Sequence, residues 1–186
     1  MAQRNIYLAG PEVFLPNATA IGEAKIALCA EFGFRGLYPA AGTVPQELTP
    51  PQVAAFLYRK CIAMMQQADL FIANMTPFRG PSADLGTAFE LGYLTALGKP
   101  AFAYCNDPAS LVERTRSFDA AVHFDAARQV WVDGEGLLVE DFQHYDNLMV
   151  AVGLAAPVVL RDVPHAERYT DLGGLRACLE LARGRA

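Results

Sequence analysis

Two periods of apolar residues divide this chain. Short solid runs, Ile6-Tyr7-Leu8-Ala9, Phe34 to Tyr38, Leu70-Phe71-Ile72-Ala73-Asn74 and Pro100 to Tyr104, have the length and composition of strands buried on both faces. Between them the apolar residues recur at helical spacing. Ile21, Ala24, Ile26, Leu28 and Phe32 mark a helix over 18–32 that Gly33 stops. Val53, Phe56, Leu57, Cys61, Met64 and Met65 mark a second, opened by Pro50-Pro51, and residues 85–97 form a third, closed by Gly98. Strand–helix units in series predict an α/β fold, a parallel sheet with helices on both faces.

Past Asn106 the periodicity fades. Val130-Trp131-Val132 and Leu137-Leu138-Val139 flank Asp133-Gly134-Glu135-Gly136, which predicts a hairpin; a short helix over 147–154 and a last one over 171–182 complete the chain. The chain has 186 residues and no repeat, low-complexity tract or linker, so one domain over 1–186 is expected.

Charge narrows the function. The net charge is −5, and the 15 Lys and Arg residues, only three of them Lys, are scattered. No basic run offers the several phosphate contacts of nucleic-acid binding, although a nucleoside, which has no phosphate, remains compatible. No window approaches a membrane span, and the N-terminus lacks a basic segment followed by a long apolar stretch. Cys29, Cys61, Cys105 and Cys178 form no close pair, and His123, His144 and His165 lack metal-ligand spacing. Reduced thiols in a cytoplasmic protein without a metal site are expected.

In open parallel sheets, ligands bind beyond the carboxyl ends of the strands. The loops after Ala9 and Asn74 and the helix start after Ala83 should therefore converge. Asp69, Asp84 and Glu90 fall in or beside that zone, and Tyr7 enters from the first strand. Each also has a structural reading: Asp84 as a helix N-cap, Asp69 as a strand-entry residue, Tyr7 as a core aromatic, Glu90 as a solvated helix position. Gly86 and Gly92 beside Glu90 count against the last, because a helical Gly costs about 1 kcal/mol relative to Ala and usually needs a close-approach reason. Gly10 and Phe14 in the first loop are candidate substrate contacts, with Phe14 either stacking on a base or packing within its loop.

Ala68 to Asn74, Pro77-Phe78-Arg79-Gly80, and Asp84 to Tyr93 ending at Gly98-Lys99-Pro100, with Ile6 to Pro11 and Asn147-Leu148-Met149, resemble the nucleoside 2-deoxyribosyltransferase family. The resemblance spans residues 6–149. It implies a flavodoxin-like, doubly wound parallel sheet of about five strands and exchange of nucleobases on 2'-deoxynucleosides without a cofactor. By that resemblance Glu90 matches the nucleophile, Tyr7 the hydroxyl that orients it, and Asp69 the acid that exchanges a proton with the base. Asp84 matches the residue binding the sugar 5'-hydroxyl. Asn147, with Met149 in the same motif, matches an asparagine reaching that hydroxyl from a neighbouring subunit, which implies a homo-oligomer with shared sites.

The chemistry fits those residue types. Breaking an N-glycosidic bond develops positive charge at C1', which a carboxylate below the ring stabilises before attacking it. A hydrolase of 2'-deoxynucleoside 5'-monophosphates resembles the same set but carries serine in place of Asp84 and Asn147. A carboxylate there would repel a phosphate. A non-catalytic nucleoside-binding module is the other alternative. The 39–51 segment is expected to form a lid or base-contacting loop.

Overall fold

A computed structural model of the chain describes residues 3–39 and 44–184. Five strands form one parallel sheet: β1 (Asn5–Ala9), β2 (Arg35–Leu37), β3 (Leu70–Asn74), β4 (Ala101–Cys105) and, near the end of the chain, β8 (Val159–Leu160). Their order, β2-β1-β3-β4-β8, is that of a flavodoxin-like sheet, and the direction of winding reverses between β1 and β3. Six α-helices accompany it among the described residues: α1 (Ala18–Glu31), α2 (Pro50–Gln67), α3 (Leu85–Ala96), α4 (Leu111–Phe118), α5 (Leu148–Ala151) and α6 (Gly173–Arg183).

Strand alternation sorts the core into two layers. Ile6, Leu8, Leu70, Ile72, Phe102 and Tyr104 point to one face, where Leu28 and Cys29 of α1 and Leu175, Cys178 and Leu179 of α6 cover them. Tyr7, Ala9, Phe71, Ala73, Ala101, Ala103 and Cys105 point to the other, against Met65 of α2 and Leu91 and Leu94 of α3. Each large apolar side chain buried this way contributes about 1.5–3 kcal/mol. The pairing Tyr7↔Phe71 therefore matters for function: a one-residue slip would turn Tyr7 away from α3.

The element boundaries within 5–105 lie within two residues of those expected. The hairpin is present as β6 (Val130–Val132) and β7 (Leu138–Val139), which join β5 (His123–Asp125) in a separate antiparallel sheet. Sequence periodicity missed α4, β5 and β8, each too short for a repeat to show. α4 is held instead by a capping box, in which Ser110 Oγ accepts from the Glu113 amide at 3.2 Å while Glu113 accepts from the Ser110 amide at 2.7 Å. The expected helix over 147–154 is a single turn that Asn147 caps. No helix among the described residues is long and apolar enough to cross a membrane.

A buried ion pair anchors the loop after β1. Glu12, in the 3-10 turn Pro11–Phe14, has no solvent exposure, and neither does Lys25 of α1. Glu12 Oε1 accepts from Lys25 Nζ at 2.9 Å, from Asn74 Nδ2 at 2.9 Å and from the Tyr104 hydroxyl at 3.1 Å. The loop is thereby tied to the carboxyl ends of β3 and β4. Losing one member of such a pair costs about 3–5 kcal/mol, since the other stays buried and uncompensated. Gly10 is required by the same close approach: a Cβ there would lie 2.0 Å from Glu12 Oε2 and 2.8 Å from Asn74 Cβ.

Candidate active site

A cavity of about 260 Å³ opens beyond the carboxyl ends of β1 and β3, at the point where the winding reverses. Gly10, Val13 and Phe14 enter it from the first loop, Leu57, Lys60 and Cys61 from α2, and Asp84, Gly86, Thr87 and Glu90 from the start of α3. Pro39 also lines it, while residues 40–43 of the expected 39–51 lid lie outside the described residues. At the end of that segment Thr49 caps α2 in a capping box with Gln52.

Glu90 sits where α3 meets the floor of the cavity. Thr87, Leu91 and Leu94 form the inward face of the helix, and Glu90 lies on the border of that face, one turn on from Thr87. The Tyr7 hydroxyl, rising from the middle of β1, donates to Glu90 Oε1 at 2.5 Å. Tyr7 stacks on Phe71 of the neighbouring strand, with ring centroids 6.1 Å apart, so its hydroxyl is aimed by a rigid ring. Both expectations, an inward Glu90 and a Tyr7 directed at it, match this geometry.

Burial raises the Glu90 carboxyl from its ordinary range to about 7; the Tyr7 hydrogen bond opposes that rise, and the negative charge of Asp84 adds to it. The Tyr7 hydroxyl is held well above its usual pKa by burial first and by the Glu90 charge second, so it remains a proton donor throughout the ordinary pH range. Cys61 of α2 lines the same cavity as Glu90. Burial raises its pKa, so the thiol keeps its proton at neutral pH. The sequence signal for Cys61 is its place four residues after Leu57 on the inner face of α2.

Asp84 is both a cap and a cavity residue. Its Oδ2 accepts from the Thr87 amide at 3.0 Å and from Thr87 Oγ1 at 3.2 Å, and both bonds fall on that one oxygen. Asp69 is in a different place. Its Oδ2 accepts from the Asn5 amide at 2.7 Å and its own amide donates to the Asn5 carbonyl at 2.8 Å, at the amino ends of β1 and β3. Roughly 16 Å of extended chain separates it from the cavity end of β3. The expectation that Asp69 works beside Glu90 is corrected: in a parallel sheet a residue that enters a strand lies at the end opposite the ligand.

Phe14 is half exposed, lines the cavity and stacks on Phe78 at 5.1 Å. Asn147 and Met149 are not part of the cavity of their own chain. Asn147 caps α5, its Oδ1 accepting from the Met149 amide at 2.9 Å and its Nδ2 donating to Glu140 at 2.6 Å. Met149 is 77 % exposed. The loop they occupy is tied to the start of α3 by Asp146, which accepts from the Ala83 amide at 2.8 Å.

Comparison with known proteins agrees with this architecture. Residues 6–149 match the family model described as nucleoside 2-deoxyribosyltransferase. An uncharacterized protein of Schizosaccharomyces pombe is 32 % identical over 158 residues, covering 77 % of this chain and 74 % of that protein. A 2-desoxiribosyltransferase from Leishmania mexicana superposes with a TM-score of 0.64 at 31 % identity, over 88 % of this chain and 93 % of the other. A 2-deoxyribosyltransferase from Bacillus psychrosaccharolyticus shares the fold at TM-score 0.51 and 20 % identity, over 82 % and 84 % of the two chains. A sheet wound in this order, with a tyrosine-bound glutamate at its switch point and a family match over most of its length, makes this chain a member of the nucleoside 2-deoxyribosyltransferase family.

Proposed function

We propose that the protein exchanges nucleobases on 2'-deoxynucleosides by double displacement, with Glu90 as the nucleophile. The observation that carries this reading is the 2.5 Å hydrogen bond from Tyr7 to Glu90 at the floor of the cavity. Ionised Glu90 attacks C1' from below; the C1'–N bond breaks with its electron pair leaving on the base, and the C1'–O bond forms a deoxyribosyl ester. A second base attacks C1' from the side the first one left; its C1'–N bond forms as the C1'–O ester bond breaks and releases Glu90 as a carboxylate, and the proton that the incoming base sheds balances, through solvent, the one that the departed base takes up. Two inversions restore the configuration. Tyr7, donating to the carboxylate, keeps one oxygen aligned for attack and stabilises the negative charge that returns to Glu90 when the ester breaks. Asp84 binds the 5'-hydroxyl through Oδ1, the oxygen its cap bonds leave open, and its charge disfavours a 5'-phosphate.

Incubation with deoxyinosine and adenine is expected to yield deoxyadenosine, resolved by chromatography, with little free deoxyribose and little turnover of deoxyinosine 5'-monophosphate. Free deoxyribose as the main product would make the protein a hydrolase. Absence of turnover with tight nucleoside binding would make it a binding module.

The site is completed by a second copy of the chain. α3 exposes Leu85, 86 % accessible, and Phe89, while α5, packed beside α3, exposes Met149 and Val152. Such an apolar surface next to the cavity favours a covered, oligomeric state. Asn147 lies on it and outside its own cavity. Mixing Glu90→Ala with Asn147→Ala subunits is therefore expected to recover activity, up to about a quarter of the wild-type sites for randomly exchanged dimers. No recovery after subunit exchange has been shown by mass would count against a shared site.

A further inference from the structure

The loop between β3 and α3 holds an arginine in a conformation that suits glycine. Arg79 has φ 57°, a left-handed value unfavourable for a long side chain, although Gly80 stands next to it. The loop is closed by the Phe78 amide, which donates to the Ser82 carbonyl at 3.0 Å. It is also braced from the tail of the chain: the Tyr169 ring meets Phe78 edge-on at 6.1 Å, and the Tyr169 hydroxyl donates to the Pro77 carbonyl at 2.5 Å.

This framework presses the guanidinium of Arg79 against two stacked rings, 4.6 Å from the centre of Phe78 and 5.3 Å from that of Phe14. Stacking uses the flat faces of a guanidinium and leaves its five N–H groups free in the plane. Among the described residues no acceptor takes them. Phe14 belongs to the cavity wall and Arg79, which is exposed, lies against it outside that wall, so a base stacked on Phe14 would bring its edge toward a cation held beside the ring with no protein acceptor among the described residues.

We propose that Arg79 reads the nucleobase and selects 6-oxopurines over 6-aminopurines. This deepens the transferase reading and rests on it for the identity of the substrate. A 6-oxopurine presents two adjacent acceptors, O6 and N7, that match the guanidinium fork. A 6-aminopurine presents N7 beside an N–H donor, and that donor faces the N–H groups of the arginine. The charge matters in the reaction as well. The electron pair left on the base as C1'–N breaks spreads onto O6 of a 6-oxopurine, beside the positive charge. Asp69, the acid expected to neutralise it, lies at the other end of the sheet.

The test compares the wild type with Arg79→Met, which keeps an apolar chain over the rings and removes the charge. Calorimetric binding of free hypoxanthine and adenine is measured together with kcat/KM for deoxyinosine and deoxyadenosine. The wild type is expected to favour the oxo base about tenfold, the scale of one bidentate base contact. Arg79→Met is expected to lose that preference with adenine binding within twofold of wild type, and thermal melting checks that the exposed substitution leaves the fold intact. A preference unchanged in Arg79→Met, an equal loss for both bases, or wild-type protein that binds no hypoxanthine would overturn the proposal. Should transfer fail with every nucleoside, the transferase reading falls, while the binding comparison still decides the role of Arg79.

Discussion

Glu90→Gln is expected to abolish base exchange, by at least about a thousandfold, while making the folded protein more stable above pH 7. The loss follows from the chemistry: an amide neither attacks C1' nor offsets a full positive charge there. The gain in stability follows from burial. The Glu90 carboxyl has its folded-state pKa raised to about 7, above its value in the unfolded chain, because the cavity floor disfavours the charged form. The native protein therefore binds the extra proton at pH values between the two pKa values. This contribution to stability is fully present below the unfolded pKa and is lost as pH rises through about 7, where the fold must hold a buried charge.

Glutamine carries no such charge, so melting temperatures of wild type and Glu90→Gln should diverge as pH rises from 5 to 8, with the variant higher at pH 8. In the proposed double displacement the same pKa sets the rate. The nucleophile must be ionised, so kcat/KM should rise about tenfold per unit below pH 7 and level off above it. With deoxyinosine alone, the wild type should gain the mass of one deoxyribosyl group and Glu90→Gln should not. Normal exchange by a folded Glu90→Gln protein would falsify the mechanism.

Tyr7→Phe is the second large effect, and its size depends on pH. The phenol donates to Glu90 at 2.5 Å and is one of the influences holding the carboxyl down. Removing it leaves burial and the Asp84 charge, both of which raise the pKa, so the acidic limb of kcat/KM should move upward from about 7. A hydrogen bond to a charged group is worth about 1.5–3 kcal/mol, or roughly 10- to 150-fold in rate. The deficit should be greatest at pH 6 and smaller at pH 9, where the carboxyl ionises even without its donor. The phenylalanine ring retains the stack on Phe71, so a collapse of the fold is not expected. A limb that stays at the wild-type pH would show that Tyr7 is a core aromatic and no more.

The legibility of this chain differs from residue to residue. Glu90 was readable because a carboxylate between two helical glycines in an apolar segment is costly without a use. Tyr7 was readable because alternation within β1 decides its face. Asp69 belongs to the opposite end of the sheet, because position relative to a strand says which end a residue occupies and Asp69 precedes its strand. The Glu12–Lys25 pair was invisible, since nothing local marks a lysine in α1 as fully buried. The tail was equally opaque. β8 is two residues long, yet it closes the edge of the sheet, and Tyr169 reaches across to brace the loop after β3.

The sequence by itself determined the parallel α/β architecture, the strand faces and the carboxylate that must be explained, because hydrophobic period and glycine placement are local properties of the chain. Only the tertiary structure decided which ionisable groups share one cavity. That depends on the spatial order of strands and on the end of the sheet each residue reaches, and neither is encoded by spacing within a single element. Asp69 is therefore a strand-entry residue, Asp84 is at once a cap and a cavity wall, and Cys61 and Phe14 gather from an α-helix and a loop around the cavity that Glu90 lines, with Arg79 lying against the Phe14 ring.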